Sequence, residues 1–481
     1  MTEINTRAIS RAMGLLLCVI AAAMVLPLVW SLYYQSGDSQ AFLVSMFIAG
    51  IPGILLARMR VTGDIRLRES FLIVSGGWLL CALAGAIPFL LAGTFTNLPD
   101  ALFEAMSGFT TTGATMITDV ESQPAGILFW RSLLHWLGGL GIIVFTLVFI
   151  PRLGTGGFQL FKAEVPGVQV ERIRPKLRET AKILLIIYFS LTLVQTILLR
   201  LAGMSFFDSL IHSLGTIATG GFSSKAESIG AYNSVPIEVI TTVFTLAAGV
   251  NFSLYHGIFS RRGFKDLVRN EEFRVYAGIV VTAILCLSVT LLGTYSPAEA
   301  LRHGSFQVVT VMSTTGYSSA DFNTWPDVSR AILLLLMFVG ACTGSTAGSV
   351  KVLRWQLLAK HAYREVYRFL HPKAILPIRQ DGEIVPENVM NQVLAFTGIY
   401  VGLFVFATLC MLAMGLDMLS AASSVAATLG NVGPGLGSVG PMANYAHLPA
   451  VGKLFLTFIM LIGRLEVFSV LAILTPAFWQ R

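Results

Sequence analysis

The stretch VVTVMSTTGYSSADF, residues 308–322, starts apolar, turns through Ser, Thr, Thr and Gly, and ends polar. Taken alone, it reads as an extracellular loop behind a membrane segment. Its meaning changes because the pattern recurs. Short apolar or amphipathic runs, ALFEAMSGF (101–109), SFFDSLIHSLGTI (205–217), AEALRHGSFQVVTVM (298–312) and DMLSAASSVAATL (417–429), each meet a glycine-centred turn. The turns are TTTGAT (110–115), IATGGFS (217–223), STTGYS (313–318) and GNVGPGLG (430–437). Their central glycines, Gly113, Gly220, Gly316 and Gly433, lie roughly 100 residues apart, as an internal repeat would place them.

Composition sets the surroundings. The 481 residues are 55% hydrophobic and 12% charged, and the mean hydropathy is +0.74. Soluble domains carry about 25% charged residues, so there is too little charge here to coat several globules. The net charge of +7 sits in short basic runs between apolar segments, which argues against nucleic acid. The five cysteines lie in apolar surroundings without a CxxC pair, and the histidines are scattered, which argues against metal or disulfide chemistry. GTGG at 154–157 lacks the context of a phosphate-binding loop. The first apolar run is long enough to span a bilayer and no clear cleavage site follows it, so it reads as a membrane helix rather than a signal peptide.

Ten spans are expected, near 10–33, 40–58, 70–94, 127–150, 180–203, 235–260, 273–295, 328–348, 389–415 and 450–476. The connecting segments alternate between Arg/Lys-rich and Arg/Lys-poor, which places the basic set and both termini in the cytoplasm. The expected fold is an all-α polytopic membrane protein with four pseudo-fourfold repeats of helix, re-entrant pore helix and helix. Two N-terminal helices precede them. The division is 1–69 for that addition, then 70–151, 152–262, 263–372 and 373–481 for the repeats.

Non-helical backbone at membrane depth survives only in protein or facing water. Four such turns around one axis can replace the hydration shell of a small cation with main-chain carbonyls. The expected ion-binding residues are Thr111, Thr112 and Gly113; Ala218, Thr219 and Gly220; Thr314, Thr315 and Gly316; and Asn431, Val432 and Gly433. Glycine supplies φ > 0. The half-helices would aim their negative dipole ends at the ion. An acidic outer mouth is expected from Asp100, Glu104, Asp119, Glu121, Asp208, Glu227, Glu299, Asp321, Asp327 and Asp417, against Lys225 and Arg302. The same distribution also follows from the topology rule alone.

Four membrane-helix, pore-helix, membrane-helix units in one chain, each with a glycine turn, resemble the Trk/Ktr/HKT superfamily of potassium transport proteins. The two leading helices and the length resemble its Trk branch, the TrkH/TrkG-type pore subunit. The resemblance implies potassium uptake across the bacterial inner membrane, with K⁺ as the transported ion and no cofactor in the chain. It also implies a homodimer and a TrkA-like cytosolic nucleotide-binding regulatory subunit. GACTGSTAGSVKVLRW, 340–355, makes a poor helix interior. It suits either close packing through small residues or a flexible loop. The family's gating loop falls here, which makes Gly344, Ser345, Thr346, Ala347 and Gly348 gate candidates. Arg464, within FIMLIGRLEVFSVLAI (458–473), would be costly in lipid. It either pairs with another helix or, as the resemblance implies, projects into the pore by that loop. His135 and His256 read as buried, hydrogen-bonded histidines rather than proton carriers.

Two rival readings remain. A polytopic membrane enzyme would need a catalytic cluster, and the chain has no HExxH, DDxxD or GxSxG motif. Symport with H⁺ or Na⁺ would favour ionisable groups at a midplane site, and few acidic residues lie mid-span. Channel-like permeation is therefore favoured. In the plant branch, serine at the first filter position accompanies sodium transport; here that position is Gly113.

Overall fold

The computed structural model describes residues 4–61, 66–149, 176–258 and 265–480. The GTGG segment, Arg261, Arg262 and the His256 side chain lie outside the described residues, as does most of the basic run from Arg152.

Among the described residues, the regular elements are helical apart from one small hairpin. In order, α1 is Thr6–Ala23, α2 Val25–Tyr34, α3 Ser39–Ala57, α4 Leu67–Leu91, α5 Leu98–Phe109, α6 Ala125–Phe149 and α7 Lys176–Leu201. Next come α8 Phe206–Ala218, α9 Val235–Ala248, α10 Phe252–Ile258, α11 Lys265–Arg269, α12 Glu271–Leu291, α13 Pro297–Met312 and α14 Asp327–Val339. The last are α15 Val352–Leu370, α16 Glu387–Ala413, α17 Met418–Leu429, α18 Ala450–Arg464, α19 Phe468–Leu474 and α20 Pro476–Trp479. The hairpin pairs β1, Arg379–Gln380, with β2, Glu383–Ile384.

Among the described residues, 6 helices are long and apolar enough to cross a membrane, or 7 if one bent pair counts as a span. They include 39–57, 182–201, 271–291 and 387–413, close to expected spans. Three other expected spans are broken. The 235–260 segment divides after Ala248, 328–348 stops at Gly340 with φ 74°, and 450–476 bends by 118° between α18 and α19. Hydropathy averages over such breaks, because the freed backbone groups find partners elsewhere in the protein.

The four short helices, α5, α8, α13 and α17, are built alike. Each starts at a capping residue, Asn97, Ser205, Ser296 or Asp417, whose side chain accepts an N–H from the first turn. Most of their length is buried on every side. Several of their internal hydroxyls are satisfied within the helix, although Ser107 Oγ finds no partner among the described residues. Ser209, Ser213, Thr216 and Thr428 each donate to the carbonyl four residues back. Polar side chains can therefore sit in a dry core at little cost.

Candidate functional site

Each short helix ends in the same way. The N–H of Thr112, Gly220, Thr315 and Val432 donates to the carbonyl five residues back, on Ser107, Gly215, Thr310 and Ala427, at 2.8 Å in all four cases. This is the Schellman closure, in which the preceding residue is left-handed. Those residues are Thr111 (φ 53°), Thr219 (φ 57°), Thr314 (φ 60°) and Asn431 (φ 54°). β-branched threonine rarely adopts this conformation, and each such residue stores about 1–3 kcal/mol of strain. A second left-handed residue follows two positions later: Gly113 (φ 84°), Gly221 (φ 82°), Gly316 (φ 76°) and Gly433 (φ 103°).

These bonds correct the register of the second turn. Its triplet is Thr219, Gly220 and Gly221, one residue later than the sequence suggests. Ala218 is the last residue of α8. Gly220 occupies the position of Thr112, and its glycine serves another purpose. A Cβ there would lie 2.3 Å from the His135 ring. His135 accepts the Phe222 N–H at Nε2 (3.2 Å), so Nδ1 carries the proton toward the Gly108 carbonyl (2.8 Å). This neutral histidine fastens the second turn to α5.

The four turns meet backbone to backbone. A Cβ on Gly113 would fall 2.1 Å from the Gly220 carbonyl oxygen, one on Gly221 2.0 Å from that of Thr315, one on Gly316 2.0 Å from that of Val432, and one on Gly433 2.5 Å from that of Thr112. The contacts run from first to second, third, fourth and back to first, so they close a ring. A side chain at any of the four glycines would strike a neighbour's carbonyl as well as strain its own backbone. Opposite turns match: Thr112 and Thr315 carry hydroxyls bonded to those of Thr110 and Ser313 at 2.7 and 2.9 Å, whereas Gly220 and Val432 have none. In the fourth turn, Asn431 Nδ2 donates to the Thr112 hydroxyl (3.0 Å) and to the Met460 carbonyl (3.1 Å). The Tyr445 hydroxyl donates to the Gly433 carbonyl at 2.9 Å.

Below the short helices' C-terminal ends, residues 340–351 form an irregular buried loop between α14 and α15. The Thr346 hydroxyl donates to the Ile217 carbonyl (3.0 Å), and the Gly348 N–H to the Thr314 hydroxyl (2.8 Å). A Cβ on Gly348 would lie 2.5 Å from the Gly430 carbonyl oxygen. Arg464 Nη1 donates to the Thr346 carbonyl at 2.8 Å, and Nη2 reaches the Gly138 carbonyl at 3.5 Å. The loop therefore touches the second, third and fourth turns, and Arg464 links it to α6. Three further residues also hold it. Glu272 Oε1 accepts the N–H of Thr343 (2.6 Å) and of Leu353 (3.2 Å). Lys351 Nζ donates to the Ala347 carbonyl at 2.6 Å, and Asn251 lies against Gly344. Glu466 faces Arg354 at 2.5 Å rather than Arg464.

The acidic rim is smaller than the sequence suggests. Glu104 is fully buried against Arg131, and Asp100 pairs with Lys453 at 2.6 Å. Arg302 is matched by Glu238, also at 2.6 Å. Asp119, Glu121, Glu227, Glu299, Asp327 and Asp417 remain exposed.

A family model described as "TrkH: Cation transport protein" matches residues 38–480. The Trk system potassium uptake protein TrkH of Halomonas elongata is 39% identical over 485 residues, covering 99% of this chain and 100% of that protein. The Trk system potassium uptake protein TrkG of Escherichia coli is 33% identical over 487 residues, covering 100% of both. The crystal structure of the potassium transporter TrkH from Vibrio parahaemolyticus superposes with a TM-score of 0.90 at 37% identity, covering 99% of this chain and 100% of that one. Matched along its length in sequence and in fold, the chain belongs to the TrkH family of cation transport proteins.

Proposed function

We propose that this chain is a potassium uptake pore of the bacterial inner membrane, with both termini cytoplasmic. In this reading K⁺ passes through the ring of turns, and main-chain carbonyls of the four triplets replace its water shell. The triplets are Thr111–Gly113, Thr219–Gly221, Thr314–Gly316 and Asn431–Gly433. The observation that carries the reading is the ring closure, in which each turn glycine faces its neighbour's carbonyl at 2.0–2.5 Å from a Cβ position. Four short helices end at those turns and direct their negative dipole ends there. The relatives' names add potassium, and those names describe transporters, which removes the enzyme alternative.

The short helices act as re-entrant pore helices, and the chain divides into a 1–69 addition and four pseudo-fourfold repeats. Residues Gly344 to Gly348 and Arg464 act as the gate. The loop lies across the path below the ring, and the arginine adds a positive barrier to a cation. The pore works as a homodimer under a cytosolic nucleotide-binding subunit. Permeation is channel-like, because none of the twelve turn residues is ionisable. Symport remains the second reading, and it predicts a reversal potential that follows a pH or Na⁺ gradient.

The test is Rb⁺ uptake by proteoliposomes holding the purified protein. Uptake that stops at the K⁺ equilibrium potential and ignores a pH gradient is expected. Absence of uptake under every condition, or uptake that tracks pH, would overturn the proposal.

A further inference from the structure

A buried ion pair stands against the first two turns, and the reading above gives it no role. Glu104 on α5 and Arg131 on α6 meet at 2.8 Å, with side chains 0% and 2% exposed. The carboxylate also accepts the Met116 N–H (2.7 Å) and the Thr115 hydroxyl (3.0 Å). These residues lie two and three positions after Gly113, where the first turn runs out. The guanidinium donates to the Thr115 hydroxyl (3.0 Å) and to the Ser223 carbonyl (3.2 Å), and lies over the Phe222 ring at 4.2 Å. Phe222 and Ser223 follow directly on the second turn. One forked cation thus holds the outgoing strands of two neighbouring turns to one carboxylate.

Stability does not account for the pair. Replacing a buried ion pair with well-packed apolar side chains is often neutral or stabilising. Position in the ring gives a better account. The residue eight before each Schellman donor is Glu104, His212, Gln307 or Ser424, and the residue eleven after each of these is Thr115, Ser223, Ser318 or Gly435. In the first turn Glu104 grips Thr115. In the second, His212 Nε2 meets the Ser223 hydroxyl at 2.9 Å. In the third, Gln307 Nε2 has no hydrogen-bond partner among the described residues. In the fourth, Ser424 bonds back to Ala421 within its own helix. The brace at this position is charged in the first turn and neutral in the second; in the third and fourth, the short helix holds its outgoing strand from other positions, through His303 Nδ1 and the Ser319 hydroxyl (3.0 Å) and through the Ser423 hydroxyl, which accepts the Leu436 N–H (2.8 Å) and donates to the Leu436 carbonyl (3.0 Å).

We propose that Glu104 and Arg131 are positioning residues for ion discrimination. They tie the outgoing strands of the first two turns to each other and so fix the carbonyls there, which makes K⁺ preference over Na⁺ depend on the pair. This inference rests on the pore reading above. The pair touches no ion and acts through the main chain.

The test is the K⁺/Na⁺ permeability ratio from reversal potentials of the full-length protein in bilayers, which does not depend on how much protein inserts. Arg131→Lys keeps the charge but cannot reach Glu104, Thr115 and Ser223 together. It should lower the ratio roughly tenfold, as losing an orienting neighbour does at other metal sites, while K⁺ still passes. Lys453→Gln breaks the other ion pair on α5, away from the turns, and should leave the ratio unchanged. If Arg131→Lys is not recovered folded, Thr115→Val removes the hydroxyl shared by both charges, and a smaller fall in the ratio is expected. A wild-type ratio in Arg131→Lys, or in Thr115→Val where that variant decides, would overturn this inference alone, as would an equal fall in Lys453→Gln. A wild-type protein that passes no K⁺ would instead sink the pore reading.

Discussion

The ring of turns and the loop beneath it are both buried, glycine-rich, irregular backbone at the ends of helices, yet they are held in opposite ways. Every turn is closed by the same main-chain bond to its own helix, and each touches the next through backbone. Side chains hold much of the loop: Thr346 on Ile217, Arg464 and Lys351 on loop carbonyls, and Glu272 on the Thr343 N–H. A ring closed by one repeated backbone bond, with side-chain braces behind individual turns, has a single geometry. A loop tied by separate side-chain bonds can be released when a few of them break, which is what low local stability means physically. On the proposed reading, the first arrangement would serve discrimination between ions and the second gating.

The largest effect should come from breaking the ring. Gly221→Val places a branched side chain at φ 82° with the Thr315 carbonyl in its path. Backbone strain alone is about 1–3 kcal/mol, and the collision adds to it. Rb⁺ uptake in proteoliposomes should fall to background, whereas Ala218→Ser, one residue before the corrected triplet, should retain it.

Next is the floor. Arg464→Ala removes the charged donor to the Thr346 and Gly138 carbonyls. A hydrogen bond to a charged group is worth about 1.5–3 kcal/mol. Resting K⁺ flux should rise about tenfold or more with the K⁺/Na⁺ ratio kept, and single-channel recording separates the two quantities. Gly113→Ser should do the reverse: its Cβ meets the Gly220 carbonyl at φ 84°, so it should disturb the ring as Gly221→Val does, lowering the ratio at least several-fold (about 1–3 kcal/mol) without raising resting flux. The smallest effect is expected from Thr346→Val, which deletes one neutral bond worth about 1 kcal/mol and should raise resting flux only about fivefold. If Arg464→Ala and Thr346→Val altered ion preference while Gly113→Ser altered only leak, the division of labour between ring and floor would be wrong.

Much of this arrangement was legible in the sequence. Three of the four turn registers follow from a single Thr-Gly or Val-Gly step. The second did not, because Thr219, Gly220 and Gly221 allow two frames, which the Gly220 N–H bond to Gly215 and the left-handed Gly221 separate. A usable signal was present: the cap residue precedes the Schellman donor by fifteen residues in the first, second and fourth units, from Asn97, Ser205 and Asp417. Glu104 looked like part of an acidic mouth because its partner, Arg131, sits inside an apolar run that reads as membrane. The Gly340–Lys351 irregularity was visible as a poor helix. The bend after Arg464 was not, because Leu465 to Val467 carry no glycine or proline. The roles of Glu272 and Asn251 in holding the loop depend on contacts across distant parts of the chain, which local pattern does not carry.

The most direct test is to locate the cation itself, by anomalous scattering from protein crystallised in Rb⁺ or Tl⁺. The account predicts density within the ring, coordinated by main-chain oxygens of the Thr111–Gly113, Thr219–Gly221, Thr314–Gly316 and Asn431–Gly433 turns. Cation density held by carboxylates elsewhere, with the ring empty in a protein that still transports, would contradict it.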